Sequence, residues 1–367
     1  MEDKKSILLI SKTYFGQVWK DMIFKFKRLG NALNENMDFK KGITELLPPK
    51  QHEFFFFVST EYQILQAHLL RYEFNRFNTS TKGYHLLILD NGRITDELIV
   101  NGLWSTVSFL PVIPDKSYIY KVNGYAYKKC IHKYRTALSK IGTDSSKERR
   151  VYFFANDEKI ENAILQKLIF PRMTINLEDG SGNYNTGEIS KSKYLLYAFK
   201  YVLLNDIFKL NLSFVPHFGY GHYDFVVRSN PQLVSDNNVI DLRVLFKKYA
   251  IEYANVIKKN YNFGYIRPEI LYISDDFDYK EMLKLEKIGK VTLIKPHPTQ
   301  IVYFEKYRKL FNKSSRLIFF DSKISAELLP LLFPSIDTVI IKQYSTLLFT
   351  LHAFYPNLNI QSALTYK

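Results

Sequence analysis

The sequence predicts an α/β protein built of two Rossmann-like domains, preceded by a separate helical segment. A chain of 367 residues is too long for one ordinary core. Strand-sized apolar runs alternate with helix-length amphipathic runs, and a polar, loop-rich stretch at residues 229–238 divides them into two series. We therefore assign an N-terminal segment to residues 1–50, one domain to residues 51–235 and a second domain to residues 236–367.

The first series of elements lies between residues 54 and 208. Short apolar and aromatic runs predict strands at residues 54–59, 84–90, 150–155 and 173–177. Helical spacing of apolar residues predicts helices at residues 62–77, 158–169 and 193–208. Strands that alternate with helices in this way favour a parallel sheet.

The second series repeats this alternation in the last hundred residues. Strands are predicted at residues 269–273, 291–294, 316–320 and 338–341, and helices at residues 279–288 and 345–354. Two such series joined by a linker predict two sheets with a cleft between them.

The composition limits the partners and the compartment. A formal net charge of +15 implies anionic company, which includes nucleic acid, anionic lipid and phosphorylated or acidic sugars. A generally basic protein without such a partner is the plain alternative. The single cysteine, Cys130, rules out an intramolecular disulfide and fits a cytoplasmic location. No apolar run approaches the roughly 20 residues that span a bilayer, and no signal peptide is predicted.

The N-terminal segment has its own pattern. Between residues 12 and 34, apolar residues that include Trp19 recur at helical spacing, with lysines among them. Such a basic amphipathic helix can lie on anionic lipid, which would make the protein peripheral on the inner face of the plasma membrane. It can equally pack on its own domain, and the sequence leaves both interpretations open.

Four polar clusters occur where predicted strands end. In open α/β sheets, ligands bind beyond the carboxyl ends of the strands. One such cluster means little, because Asp and Gly end strands in many proteins, but four in one chain predict a site. The clusters are Glu178-Asp179-Gly180, Ser274-Asp275-Asp276, Pro296-His297-Pro298 and Ser345-Thr346.

Each cluster has a chemical and a plain interpretation. Prolines on both sides of His297 fix the backbone, so that its imidazole can donate to a phosphate or protonate a leaving oxygen; the alternative is an ordinary turn histidine. Ser345 and Thr346 can cap a helix whose N-terminus cradles a phosphate, or can simply cap it. Asp179 and Asp275 can take a proton from a hydroxyl, or can lie in solvated turns. No His or Cys cluster has zinc-site spacing, so no metal is predicted.

The order of these motifs resembles that of bacterial sialyltransferases and polysialyltransferases, above all the lipooligosaccharide sialyltransferases of Gram-negative bacteria. The likeness runs from about residue 54 to residue 356, is densest in the second half and is faint between residues 92 and 149. Residues 57–63 also resemble the first strand and helix start of that family. The motifs that carry it are Glu178-Asp179-Gly180, His297-Pro298 and Ser345-Thr346.

This resemblance implies a GT-B fold and an inverting, metal-independent transfer of sialic acid or a related nonulosonate, with a CMP-sugar as substrate and no cofactor. His297 would contact the CMP phosphate and assist its departure, and Ser345 and Thr346 would hold the same phosphate. Glu327 would bind the cytidine ribose, although it can also be a surface helix glutamate. Glu178, Gly180 and Pro298 complete the substrate-binding set.

The resemblance leaves the catalytic base ambiguous. In the lipooligosaccharide family the base is an Asp upstream of the Pro-His-Pro motif, and Asp275 has matching spacing. In other bacterial sialyltransferases it is the Asp of the acidic-Gly motif, which here is Asp179. Thr346 replaces a small residue, and residues 1–50 have no counterpart, so the donor and the acceptor stay open.

The expected partners are a CMP-activated acidic sugar, a glycan or glycolipid acceptor and an anionic membrane surface, while a homodimer is left open. Two other functions remain: transfer of Kdo or another CMP-activated sugar, and a non-catalytic GT-B protein that binds glycan or membrane. The chain has no recognised nucleic-acid-binding module, so a nucleic-acid partner is not expected.

Overall fold

The structure is a computed structural model. It describes residues 52–76, 83–113, 124–141, 150–155, 160–179, 205, 223–233, 238–261, 263–274, 278–296, 301–320, 323–342 and 346–362. The N-terminal segment at residues 1–50 lies outside these residues, as does the helix predicted at residues 193–208 apart from Asn205.

The larger sheet has seven parallel strands in the order β3-β2-β1-β4-β5-β6-β7. The strands are β1 (His52–Val58), β2 (Gly83–Asp90), β3 (Thr106–Pro111), β4 (Arg150–Ala155), β5 (Met173–Asn176), β6 (Phe225–Arg228) and β7 (Val239–Asp241). The helices described between them are α1 (Glu61–Arg76), α2 (Gly124–Lys140) and α3 (Ile160–Ile169), with 3₁₀ turns at Asp96–Leu98 and Pro231–Leu233.

The smaller sheet has five parallel strands in the order β10-β9-β8-β11-β12. The strands are β8 (Ile270–Ser274), β9 (Thr292–Pro296), β10 (Leu317–Phe319), β11 (Thr338–Ile341) and β12 (Asn359–Ser362). Helix α4 (Leu242–Asn260) precedes this sheet. The helices that follow are α5 (Tyr279–Ile288), α6 (Ile301–Leu310), α7 (Leu329–Leu332), which continues a 3₁₀ turn at Ala326–Leu328, and α8 (Thr346–Phe354).

Both sheets confirm the prediction of two Rossmann-like domains. In each, the strand order runs outward in one direction and then reverses, between β1 and β4 in the larger sheet and between β8 and β11 in the smaller one. Such a reversal places a ligand crevice at the carboxyl ends of the strands. Strand β7 belongs to the larger sheet although it follows residue 236, where the second domain is predicted to begin.

Strand β1 forms the centre of the larger domain because both of its faces are apolar. Successive side chains of a strand point to opposite faces. Phe54 and Phe56 therefore join the core on one face, where Phe54 stacks between Tyr84 and Tyr152 at centroid distances of 4.9 and 5.0 Å. Phe55 and Phe57 lie in a separate core on the other face, with residues of α2 and α3. Four consecutive buried phenylalanines thus bind helices to both faces of the sheet.

Helix α4 packs on both domains. Asp241, the last residue of β7, caps it by accepting a hydrogen bond from the backbone N–H of Arg243 (2.9 Å). On the larger domain, the Tyr253 hydroxyl donates to the carbonyl of Leu98 (2.8 Å). On the smaller domain, Phe246 stacks on Phe354 of α8 with ring centroids 4.0 Å apart. One continuous core cluster therefore contains residues of both sheets and joins the domains.

His68 lies in the contact between α1 and α4. Its Nδ1 donates to the carbonyl of Ile64 (2.8 Å), and its Nε2 accepts hydrogen bonds from the backbone N–H of Val100 (3.1 Å) and the indole N–H of Trp104 (3.3 Å). The ring stacks on Tyr253 at 4.6 Å. Burial lowers the pKa of His68 to about 4, so the imidazole is neutral at physiological pH.

Candidate functional site

Three neighbouring strands of the smaller sheet end at the same level. In the register of the sheet, Ser274 at the end of β8 lies opposite Pro296 at the end of β9, and Ile273 lies opposite Ile341 at the end of β11. Parallel strands bring their carboxyl ends to one edge. The structure therefore gathers the three strand ends from which three of the predicted clusters follow.

The predicted residues that follow these strands are mostly outside the described part of the chain. They are Asp275, His297, Pro298 and Ser345, and the same holds for Gly180 in the larger domain. Thr346 is the first residue of α8, as the sequence predicts for a strand-to-helix junction. The roles of these five residues, and of the Thr346 side chain, stay predictions.

In the larger domain, Glu178 follows β5 and is fully buried. Its Oε2 accepts a hydrogen bond from the backbone N–H of Ser229 (2.6 Å), and its Oε1 accepts one from the Ser229 hydroxyl (2.9 Å). Ser229 directly follows β6, the neighbouring strand. The carboxylate thus ties together the ends of two adjacent strands. Its predicted contact with substrate stays a prediction, and the hydrogen bonds assign it a positioning role.

Gln66 of α1 holds the backbone of Glu178 from the other side. The side-chain Nε2 of Gln66 donates to the carbonyl of Glu178 (2.6 Å), and its Oε1 accepts from the backbone N–H of Glu178 (2.9 Å). The Gln66 side chain is fully buried and pairs with the chain as a neighbouring strand would. The segment after β5 is therefore fixed in position on α1.

Asp179 is oriented by the N-terminal cap of α1. The Thr60 hydroxyl accepts from the backbone N–H of Gln63 (3.2 Å), and Oε1 of Gln63 accepts from the backbone N–H of Ser59 (2.7 Å), an arrangement close to a capping box. Two donors of this cap remain, and both reach Oδ1 of Asp179. Gln63 Nε2 donates at 2.7 Å and the Thr60 hydroxyl at 3.3 Å. A partly exposed carboxylate is thus held at the edge of the larger sheet.

A buried asparagine connects this edge to the smaller domain. Nδ2 of Asn230 donates to the Ser229 hydroxyl oxygen (3.1 Å) and to the carbonyl of Phe349 in α8 (3.3 Å). Three successive hydrogen bonds, through Ser229 and Asn230, therefore connect Glu178 to the helix that begins at Thr346. The acidic edge of the larger sheet therefore lies next to α8 of the smaller domain.

Glu327 lies in the smaller domain, next to α8, and is buried in a 3₁₀ turn instead of lying on a helix surface. Its Oε1 accepts from the Thr350 hydroxyl of α8 (3.0 Å), and its Oε2 accepts from the Ser325 hydroxyl. Burial raises the pKa of Glu327, and the negative charge of Glu61 on α1 adds to the increase. Its carboxylate is thus used in internal hydrogen bonds, and ribose binding stays a prediction.

Basic side chains near the strand ends were missed by sequence reasoning. Arg228, the last residue of β6, and Lys295, next to last in β9, are both buried. Lys342 directly follows β11 and pairs with Glu281 (2.8 Å). Cations at these positions attract phosphate. The sequence signal that could have revealed them is a basic residue at the end of an otherwise apolar strand.

The amides that orient the acidic cluster were missed as well. Gln63 and Gln66 are three residues apart on α1, on a face that is buried. Polar residues at helical spacing among apolar neighbours were the indication that could have found them. Ser229 and Asn230 carried no comparable pattern.

Two cavities among the described residues have linings that do not include this edge. One cavity of about 510 Å³ is lined by Tyr72, Arg76 and Tyr249, among others, and one of about 500 Å³ by Lys258, Phe263 and others. In the described ranges, no group of three or more His, Cys, Asp and Glu side chains could hold a metal ion. No helix in the same ranges is both long and apolar enough to cross a membrane.

Comparison with known proteins gives only distant likenesses. No protein-family model and no curated protein matches the chain. UDP-N-acetylglucosamine 2-epimerase from Rickettsia bellii superimposes with a TM-score of 0.40 at 11% identity, covering 80% of this chain and 74% of that one. S. aureus MnaA in complex with UDP superimposes with a TM-score of 0.44 at 9% identity, covering 83% of this chain and 78% of that one.

A third likeness is to the glycosyl transferase family 9 protein from Veillonella parvula, with a TM-score of 0.36 at 8% identity, covering 86% of this chain and 81% of that one. Superpositions this loose carry no argument about chemistry or substrate. The fold assignment rests on the strand order and on the parallel register of the two sheets.

Proposed function

We propose that this protein is a glycosyltransferase that moves sialic acid, or a related nonulosonate, from a CMP-sugar to a hydroxyl of a cell-surface glycan such as lipooligosaccharide or capsule. The observation that carries the proposal is the position of Asp179. It is held by Gln63 and Thr60 at an edge that is linked through Asn230 to α8, where the predicted phosphate site begins. The family resemblance supplies the choice of donor.

On the acceptor side, a carboxylate takes the proton of the attacking hydroxyl. Asp179 is suited to this role because the Thr60 hydroxyl and the Gln63 amide both donate to its Oδ1, which orients the carboxylate. Asp275, which follows β8, is the alternative base. The acceptor oxygen forms a bond to the anomeric carbon while the bond from that carbon to the CMP phosphate oxygen breaks. A single displacement of this kind inverts the anomeric configuration.

On the donor side, the departing CMP takes the electron pair of the broken bond as negative charge on its phosphate. His297, Ser345 and Thr346 would donate hydrogen bonds to that phosphate. The start of the nine-residue helix α8 adds the favourable end of its dipole. The buried cations Arg228 and Lys295 near the strand ends raise the local positive potential. These groups act in the absence of a cofactor.

The donor class is tested by measuring nucleotide release from a panel of sugar nucleotides with the full-length protein. CMP-sialic acid, CMP-Kdo, UDP-N-acetylglucosamine and a GDP-sugar are offered together with a glycan acceptor. We expect CMP release from CMP-sugars alone, unchanged by EDTA. Release of UDP or GDP would refute the CMP donor. Absence of both turnover and nucleotide-induced thermal stabilisation would refute the enzymatic proposal and favour the non-catalytic alternative.

The assigned roles are tested by substitution within that assay. We expect His297→Ala to reduce transfer by a factor on the order of 100 to 10,000. The matched control is His352→Ala, which changes an exposed histidine of α8. Asp179→Asn and Asp275→Asn distinguish the two bases, with Asp90→Asn, an exposed carboxylate at the end of β2, as control.

A further inference from the structure

The outer face of α4 has an unusual arrangement of exposed side chains. Val244 and Ile251 are 48% and 60% exposed, although they are aliphatic. They are seven residues apart, which is about two helical turns, so they lie on one line along the 19-residue helix. Buried residues of the same helix face both domains. The exposed apolar line is therefore additional to the face that α4 uses for packing.

Four lysines flank this apolar line. At 3.6 residues per turn, Lys247 and Lys258 lie on one side of it and Lys248 and Lys259 on the other, and all four are exposed. Glu252 lies at the margin of the same face. We call this set, Val244, Ile251 and the four lysines, the α4 outer face.

Most of this positive charge has no ion-pair partner among the residues that the structure describes. Lys248 pairs with Glu73 (3.2 Å). In the part of the chain that the structure describes, Lys247, Lys258 and Lys259 form no ion pair. Lysines beside two exposed aliphatic side chains thus combine positive charge with apolar area on a single helix face.

We infer that the α4 outer face docks on an anionic phospholipid bilayer surface. An interfacial helix places its apolar side chains at the boundary of headgroups and acyl chains, while long basic side chains extend from both sides to the lipid phosphates. The net charge of +15 supplies long-range attraction of the same sign. This surface is distinct from residues 1–50, and the inference does not depend on the proposed enzymatic activity.

The apolar centre distinguishes a bilayer from other anionic partners. A nucleic-acid backbone is bound by cations and hydrogen-bond donors, and exposed Val and Ile side chains add nothing to phosphate contacts. A bilayer uses both components of the face.

The surface continues beyond the end of the helix. Lys258 and Lys259 also line the cavity of about 500 Å³, whose other walls include Tyr261, Phe263 and Phe333. Aromatic rings beside lysines are suited to the headgroup level of a membrane. The cavity therefore extends the α4 outer face with the same chemistry.

The test is co-sedimentation of the full chain with vesicles of phosphatidylcholine alone and of an equal mixture of phosphatidylcholine and phosphatidylglycerol. Val244→Ser with Ile251→Ser removes the apolar line at constant charge. Lys247→Gln with Lys258→Gln and Lys259→Gln removes the charge at constant apolar area. The matched controls lie on α5, whose exposed Ile288, Lys284 and Lys287 have the same composition: Ile288→Ser, and Lys284→Gln with Lys287→Gln.

We expect the unaltered protein to sediment with the anionic vesicles only, and each α4 variant to lose about tenfold or more in partitioning while the α5 variants do not. Because all substituted side chains are exposed, circular dichroism spectra should not change. Equal binding by the α4 variants and the unaltered protein would overturn the inference and assign binding to another segment. So would the absence of vesicle binding. Loss with the charge variant alone would also overturn it, since it would indicate a purely electrostatic partner.

Discussion

Glu178 in the larger domain and Glu327 in the smaller domain are both buried carboxylates near α8, but their donors differ. Glu178 accepts from a backbone N–H and from a Ser229 hydroxyl that itself accepts from Asn230. Glu327 accepts from two hydroxyls, and that of Thr350 can turn instead to the carbonyl of Leu347 (3.2 Å). An N–H only donates, whereas a hydroxyl donates or accepts.

The two hydrogen-bond networks therefore differ in whether they can reverse. In the hydrogen-bond chain from Asn230 through Ser229 to Glu178 the amide and the backbone N–H can only donate, so the direction of the chain is fixed. The network around Glu327 can reverse, which fits a carboxyl whose pKa burial raises. We call the network of Glu178, Ser229 and Asn230 the rigid side of the domain contact and the network of Glu327 the adaptable side, because only the second can reverse.

The largest effect is expected from breaking the rigid side. Glu178→Ala removes the two carboxylate oxygens that accept from the buried N–H and hydroxyl of Ser229, so the free energy of unfolding should fall by about 4 kcal/mol. Urea unfolding, read as a shift of the midpoint at constant slope, measures it. Glu252→Gln, on the exposed face of α4, should stay within about 0.5 kcal/mol of the unaltered protein. Equal midpoints for the two variants would contradict the contribution assigned to the hydrogen bonds of Glu178.

Acid should affect the larger domain through His68, whose Nε2 accepts from two N–H groups that cannot reverse. Its folded-state pKa of about 4 lies below the ordinary value of 6.5. Between these values the unfolded chain binds a proton that the native protein does not. The free energy of unfolding should therefore fall as the pH drops from about 6.5 towards 4, by up to about 3 kcal/mol.

The measurement is the difference in unfolding free energy between the unaltered protein and His68→Gln across that pH range. The neutral amide lacks this titration, so the variant should lose less stability in acid. The carboxylates titrate in both proteins and cancel in the difference. Parallel curves would show that His68 is not responsible.

If Asp179 is the base, substitution of Gln63 should have a smaller effect, which is on the rate of glycosyl transfer. Gln63→Leu removes the 2.7 Å hydrogen bond to Asp179 and should lower kcat about tenfold with the donor KM unchanged. It should also shift the acidic limb of the pH–rate profile, which a merely structural role would not do. Should the profile keep its position, Asp275 becomes the better assignment.

The smallest effect is expected on the adaptable side. Glu327→Gln should change the free energy of unfolding by less than about 1 kcal/mol at neutral pH, whereas Glu178→Gln should cost about 2 kcal/mol because its hydrogen-bond chain is directional. Because the pKa of Glu327 is raised, the folded protein keeps this proton to a higher pH than the unfolded chain does. The free energy of unfolding should therefore fall as the pH rises above 4.5. Glu327→Gln should remove that decline. Equal costs for the two substitutions would abolish the distinction.

Much of the fold could be predicted because its central strands and several helices have clear periodicity. The predicted bounds agree with β4, β11 and α5 at both ends. Strand β3 was missed because it is an edge strand with exposed Val107 and Phe109, so its apolar residues do not form a buried run. Helix α4 was missed because exposed Val244 and Ile251 weaken the contrast between its faces.

The position of the candidate site could be predicted from the sequence, but the hydrogen-bond partners of its residues could not. Glu178 and Asp179 were found because they follow a strand. Gln63 meets Asp179 across 116 positions of sequence, and such a contact exists only once α1 has packed on the sheet. Likewise, the burial of Glu327 depends on α8 and on Tyr355, whose hydroxyl donates to the Glu327 carbonyl (2.6 Å).

The contact of Trp104 with His68 gives the molecule an intrinsic optical reporter. The chain contains two tryptophans, Trp19 and Trp104, so Trp19→Phe leaves a single indole, edge-on to the His68 ring. A protonated imidazole quenches indole emission, and solvent entry shifts that emission to longer wavelength. Fluorescence from one side chain can therefore follow both proton uptake at the domain contact and its opening, without any attached dye.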